Sequence, residues 1–213
     1  MVHPYPSWLD GKREQRRRLK DIKRFTQPEE IYKVISEAPA WNYKRNREVY
    51  EKRDRALVAL LYLLGCRVNE VLKLRKSQFD FEGKYPYFVV IHDFEISKRK
   101  EKTIKAKGIP KKDFPLPLVG KLAPFTDMVV EYYNCSEEEM FKIGRQRAWA
   151  IVKHMTGKWC HYFRSQRLSY LVNLLRSSTI TAKIMGIENS MTIDHYYKTV
   201  SYTHLRAHET VLD

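Results

Sequence analysis

A chain of 213 residues with a hydrophobic fraction of 43% holds enough apolar material for one packed core without a disulfide or structural metal, which excludes a disordered basic tail. Forty Lys and Arg against 25 Asp and Glu leave a formal charge of +15, a balance that favours an anionic polymer such as DNA or RNA, or an acidic membrane surface. Cys66, Cys135 and Cys160 form no CxxC pair, the longest apolar run (Ala56 to Cys66) is too short for a bilayer, and no signal-peptide core opens the chain. The expectation is therefore a cytoplasmic protein.

Residues 1–24 carry eight Lys and Arg between Lys12 and Arg24 and read as a basic arm or linker. Thr26-Gln27-Pro28-Glu29-Glu30 offers an N-cap, a first-turn proline and acidic residues at the positive helix end, so a helix is predicted from there to about Glu37. A second helix is predicted from Glu48 to Leu64, with Leu57, Leu60, Leu61 and Leu64 at helical spacing. Gly65 interrupts it, and helical pattern resumes from Arg67 to Leu74. Phe79 to Phe81, Tyr87 to Ile91 and Phe114 to Leu118 read as short strands, the last two joined through a basic hairpin, Lys98 to Lys112. Helical periodicity returns at Lys121 to Tyr133, Gly144 to Met155, Arg164 to Arg176 and Thr179 to Met185, with Gly157 and Gly186 as stops. The fold class is mainly α with a small antiparallel β-sheet, an α+β arrangement. Residues 200–213 look like translated adapter sequence and are set aside as a non-native tail, which leaves 25–199 as the working domain.

Two boxes carry chemistry. In the first, an apolar helix leads through Gly65-Cys66-Arg67 to Glu70; in the second, His161-Tyr162-Phe163-Arg164 places a histidine and an arginine on one helical face. Downstream come Gly186, Met191-Thr192-Ile193-Asp194-His195, and the pair Tyr196-Tyr197. In this order the motifs resemble the catalytic domain of the tyrosine recombinase, or phage-type integrase, family. The resemblance implies that Arg67, His161 and Arg164 hold the scissile phosphate and that Glu70 orients or supports them. The nucleophile falls on Tyr196 if no residue is inserted after Gly186, and on Tyr197 if one is. By the same resemblance a lysine on the hairpin between the boxes is the general acid, with Lys98 the first choice and Lys100 the alternative. No cofactor or metal is implied.

The implied activity is site-specific recombination or integration of double-stranded DNA through a 3′-phosphotyrosyl intermediate, as a tetramer on DNA, in the cytoplasm and nucleoid of a host cell. Guanidinium groups suit that chemistry, since they match the phosphate oxygens on which charge builds and stay protonated. The family's separate helical DNA-clamping domain is absent or reduced to the basic arm. Ile187 stands where the family usually has His or Trp, and it cannot donate a hydrogen bond to phosphate. Two alternatives share the motifs: a noncatalytic DNA-binding relative, and a type IB topoisomerase-like enzyme.

Overall fold

The computed structural model describes residues 25–39, 41–83, 86–96, 111–187, 190–191 and 193–194. Its helices are α1 (Pro28–Ser36), α2 (Arg47–Leu63), α3 (Val68–Val71), α4 (Ala123–Cys135), α5 (Arg145–Thr156), α6 (Cys160–Leu175) and α7 (Ser178–Met185). Three strands, β1 (Phe79–Asp80), β2 (Phe88–Glu95) and β3 (Lys111–Pro117), form an antiparallel sheet in the order β1-β2-β3. Among the described residues no helix is long and apolar enough to cross a membrane.

The core is built around α2. From Ala56 to Leu64 every residue is buried, so this half of the helix is apolar on all sides and must be surrounded. α1, α4, α5 and α6 supply that surround. The more polar first half of α2 carries i,i+4 pairs on its exposed face, Arg47 with Glu51 and Lys52 with Glu48, both at 2.6 Å. Its end is set by Gly65, whose positive φ of 54° turns the chain toward Arg67.

Strand β2 runs four residues past the predicted Ile91, because a bulge hides the continuation. Ile91 pairs with Phe114 but Phe94 pairs with Lys112, so His92 and Asp93 insert one extra residue, with Asp93 at φ 52°. The insertion returns Phe94 to the buried face beside Val89 and Ile91, at the cost of the strict alternation by which a strand is read. β3 likewise starts earlier than predicted, at Lys111, so the basic stretch between the strands is shorter than Lys98 to Lys112.

Three local expectations are corrected. Thr26 is not the N-cap of α1: Gln27 holds that position, while the Thr26 N–H donates to Gln166 Oε1 and its hydroxyl bonds Tyr162 OH, both at 2.9 Å, tying the chain to α6. The helix expected from Arg67 to Leu74 is the single turn Val68–Val71, after which the chain turns toward β1. α6 begins at Cys160 rather than Arg164, so His161 lies in its first turn. The basic arm at 1–24, Lys98, Lys100, Tyr196, Tyr197 and the tail at 200–213 lie outside the described residues.

Candidate active site

The turn at Gly65 organises the site. A side chain there would be impossible without movement, since a Cβ would sit 2.2 Å from Met185 Cε and 3.1 Å from Arg167 Cγ. The bare glycine thus lets α6 and the end of α7 close against the turn. Its carbonyl accepts a hydrogen bond from Arg164 Nη1 at 2.6 Å, so the arginine of the second box is fastened to the backbone of the first. Arg67 follows in extended conformation at the N-cap of α3. Its N–H donates to Glu70 Oε2 at 2.7 Å and its Nη1 to Glu70 Oε1 at 3.1 Å, a reciprocal cap in which one buried carboxylate holds both ends of the arginine. Glu70 is 2% exposed whereas the Arg67 side chain is 44% exposed, so the pair is anchored inside and presented outside.

Arg67 and His161 line one cleft of about 710 Å³. The first turns of α5 and α6 form its other walls, bringing Arg145, Gln146, Trp149 and Trp159 to the same space. Neither N-cap, Gly144 of α5 or Trp159 of α6, makes a side-chain capping bond, so the positive ends of two multi-turn helices face a cleft already lined with cations. The chemistry of such a wall is anion binding. Cys66 and Cys160, far apart in sequence, both reach this cleft, but burial pushes the Cys66 thiol well up and that of Cys160 to about 11. Both therefore stay protonated near neutral pH and are poor nucleophiles.

The structure thus brings Arg67 and His161 to one cleft and fastens Arg164 to the Gly65 carbonyl. Arg145, Gln146, Trp149 and Trp159 were missed from sequence. The available signal was the spacing of Trp149, four residues after Arg145 and so on the same helix face; in the structure it is 45% exposed, an unusual position for the largest apolar side chain.

No protein-family model and no curated protein matches the chain. Among solved structures, it superposes on the XerH site-specific recombinase bound to difH substrate in a pre-cleavage complex with a TM-score of 0.58 at 14% identity, covering 87% of this chain and 51% of that one. The post-cleavage complex of the same recombinase gives 0.57 at 14% identity, over 79% and 46% of the two chains. The Tn1549 transposon integrase in complex with transposon right end DNA gives 0.49 at 15% identity, over 89% and 66%. The chain has the tyrosine recombinase fold. It spans about half the length of the XerH chain.

Within this recombinase fold Ile187 has a clear local task. Gly186, at φ 62°, ends α7; the Ile187 N–H donates to Ala182 O at 2.9 Å and the Gly186 N–H to Lys183 O at 3.3 Å, the paired bonds of a Schellman motif. The motif favours an apolar residue after the glycine. Ile187 packs against the cluster formed by Leu168, Leu171, Val172, Ala182, Met185 and Ile193. Ile193, wholly buried, pins the chain again three residues before Tyr196.

Proposed function

We propose that this chain is the catalytic domain of a DNA-cleaving and DNA-joining tyrosine recombinase. The observation that carries the proposal is the meeting of Arg67 and His161, from motifs 94 residues apart, on one cleft whose framework also fixes Arg164. The fold shared with XerH supports it. Arg67 and Arg164 would neutralise charge on the nonbridging oxygens of a DNA phosphate, with His161 beside them as base and positioner. The hydroxyl of Tyr196, with Tyr197 the alternative, attacks phosphorus. The 5′-oxygen leaves and takes its proton from Lys98. A 5′-hydroxyl from another strand reverses the step, so strands exchange without ATP. Double-stranded DNA is the partner, and exchange between two sites calls for a tetramer on DNA.

A duplex nicked so that the 5′-hydroxyl diffuses away after cleavage traps the covalent species. Wild type should form it, Tyr196→Phe should not, and Tyr197→Phe should, with DNA affinity alike in all three. Exchanged outcomes would move the nucleophile to Tyr197. DNA binding without any adduct from wild type would replace this reading by that of a noncatalytic DNA-binding relative.

A further inference from the structure

The first turn of α5 is a poor helix start on its own. Its N-cap, Gly144, makes no side-chain capping bond, and the turn holds no acidic residue. Two of its first three residues, Arg145 and Arg147, place positive charge at the positive end of the helix dipole. Yet this turn supplies Arg145 and Gln146 to the cleft. Something outside the helix must hold it.

Trp41 does so from a different face. The Arg147 guanidinium lies 4.1 Å from the centroid of a Trp41 ring, and the His154 ring lies 4.8 Å from the Trp41 ring at an interplanar angle of 60°. Arg147 and His154 are about two turns apart, so one indole spans that face of the helix. Three faces of α5 thus have three tasks. Ala148, Ile151, Val152 and Met155 are buried in the core, Arg145, Gln146 and Trp149 line the cleft, and Arg147 and His154 meet Trp41.

The segment carrying Trp41 is in turn anchored to α2. Tyr43 OH donates to Asp54 Oδ2 at 2.5 Å and accepts from Arg53 Nη2 at 2.8 Å, while Arg53 Nη2 donates to Asp54 Oδ1 at 2.7 Å. Asp54 is buried, so this anchor lies within the fold. The Arg147 guanidinium also passes 5.9 Å from the Tyr43 ring centroid, which gives the segment a second contact with the same arginine.

We propose that Trp41 is a positioning residue: by stacking on Arg147 and His154 it keeps the first turn of α5 helical before DNA binds, so that Arg145 and Gln146 meet the phosphates already in place. The proposal rests on the reading of the cleft as the DNA site. Preorganisation of this kind acts on affinity, because a frayed turn must be reordered at the moment of binding. It leaves the salt dependence alone, because the same phosphates are contacted in the end. A residue that merely supported the core would change stability and not the affinity of the folded protein.

The test measures duplex DNA affinity of the full chain over a salt series, together with hydrogen exchange of the free and DNA-bound protein. Trp41→Leu should weaken binding by about 3- to 30-fold, the range set by loss of a cation–π contact, with the slope of log Kd against log salt unchanged. Exchange over 145–149 should rise in the free variant, hold over α2, and return to the wild-type level on DNA. Trp41→Phe, which keeps a ring, should recover most of the affinity. Tyr32→Leu removes a ring packed edge-on against Phe125 between α1 and α4, which destabilises the fold away from the cleft, and it should bind as wild type does. Unchanged affinity in Trp41→Leu, or an equal loss in Tyr32→Leu, would overturn the proposal. Weaker binding with unchanged exchange over 145–149 in the free protein would overturn it as well, by marking a direct DNA contact of Trp41, and so would a reduced salt slope. Wild type that binds no duplex DNA would instead remove the reading of the cleft, and the positioning role with it.

Discussion

Replacing Gly65 with alanine perturbs the site at the point where its two boxes touch, and the expected cost has two separable parts. An L-residue held at φ 54° lies in the left-handed region, which costs about 1–2 kcal/mol relative to glycine. The added methyl would also meet Met185 Cε at 2.2 Å and Arg167 Cγ at 3.1 Å. Met185 is only 4% exposed, so its methyl end must find room inside the packed cluster, and overpacking of this kind costs about 1–3 kcal/mol. Gly157 separates the two parts: its φ is 66°, but a Cβ there meets nothing within 4 Å. Effects of alanine on the unfolded chain cancel between the two variants. In urea unfolding, Gly65→Ala should lose about 1–3 kcal/mol more than Gly157→Ala. Because the Gly65 carbonyl holds Arg164, folded Gly65→Ala should also lose adduct rate by about 100-fold, the usual toll of a displacement near 1 Å. Equal destabilisation of the two variants would refute the close seat of Gly65. A wild-type adduct rate in folded Gly65→Ala would refute its hold on Arg164.

Two further outcomes follow from individual contacts. Glu70→Gln keeps the shape of the side chain but places a buried amide donor where an arginine donor now points. It should cost about 1.5–3 kcal/mol by urea unfolding, and the adduct rate should fall by about 10- to 100-fold. An unchanged rate would show that Arg67 does not depend on Glu70 for its orientation. His92, with Nδ1 3.1 Å from Asp113 and Nε2 3.5 Å from Asp80, has its pKa raised by those two carboxylates in that order. A raised folded pKa means stabilisation that is complete below the unfolded value of about 6.5 and lost as pH climbs through the folded one. His92→Gln should therefore flatten the fall of the urea midpoint above about pH 6.5, and an identical slope in both proteins would contradict the pairing.

The helical frame was legible because its signals are local. Leucines at helical spacing in α2, Pro28 at the start of α1, and Gly65, Gly157 and Gly186 as stops each report on their own turn. Other features depend on partners distant in sequence. The bulge at His92 and Asp93 breaks the alternation that identifies a strand, and only pairing with β3 reveals that β2 continues. Thr26 has the composition of a cap, yet Tyr162 and Gln166, more than 130 residues away, claim its polar atoms. Lys112 looks like one more basic residue until its parity with Phe114 and Leu116 is counted. The motif residues stood out by order and spacing, whereas the α5 wall of the cleft carries no such motif and emerges only when the helices pack.

On the proposed reading, the inner faces of these elements also bear on a problem for a chain of charge +15, which is to gather cations around a cleft before a phosphate arrives. Three of the protein's cations have a negative or dipolar contact within it. Arg67 has the buried Glu70 carboxylate, Arg164 the carbonyl of Gly65 just past the end of α2, and Lys112 the last carbonyls of α7. Two of these three contacts are backbone oxygens near helix C-termini, which supply partial negative charge without adding a carboxylate to repel DNA. The full negative charge of Glu70 is instead 2% exposed, behind an arginine that remains 44% exposed. The arrangement offsets repulsion within the cluster from its protein side and keeps its outward potential positive. It follows that adding a carboxylate on the outer wall, as in Gln146→Glu, should weaken DNA binding while leaving the fold unchanged. The opposite result, weaker folding with unchanged DNA affinity over a salt series, would place the phosphate path elsewhere on the molecule.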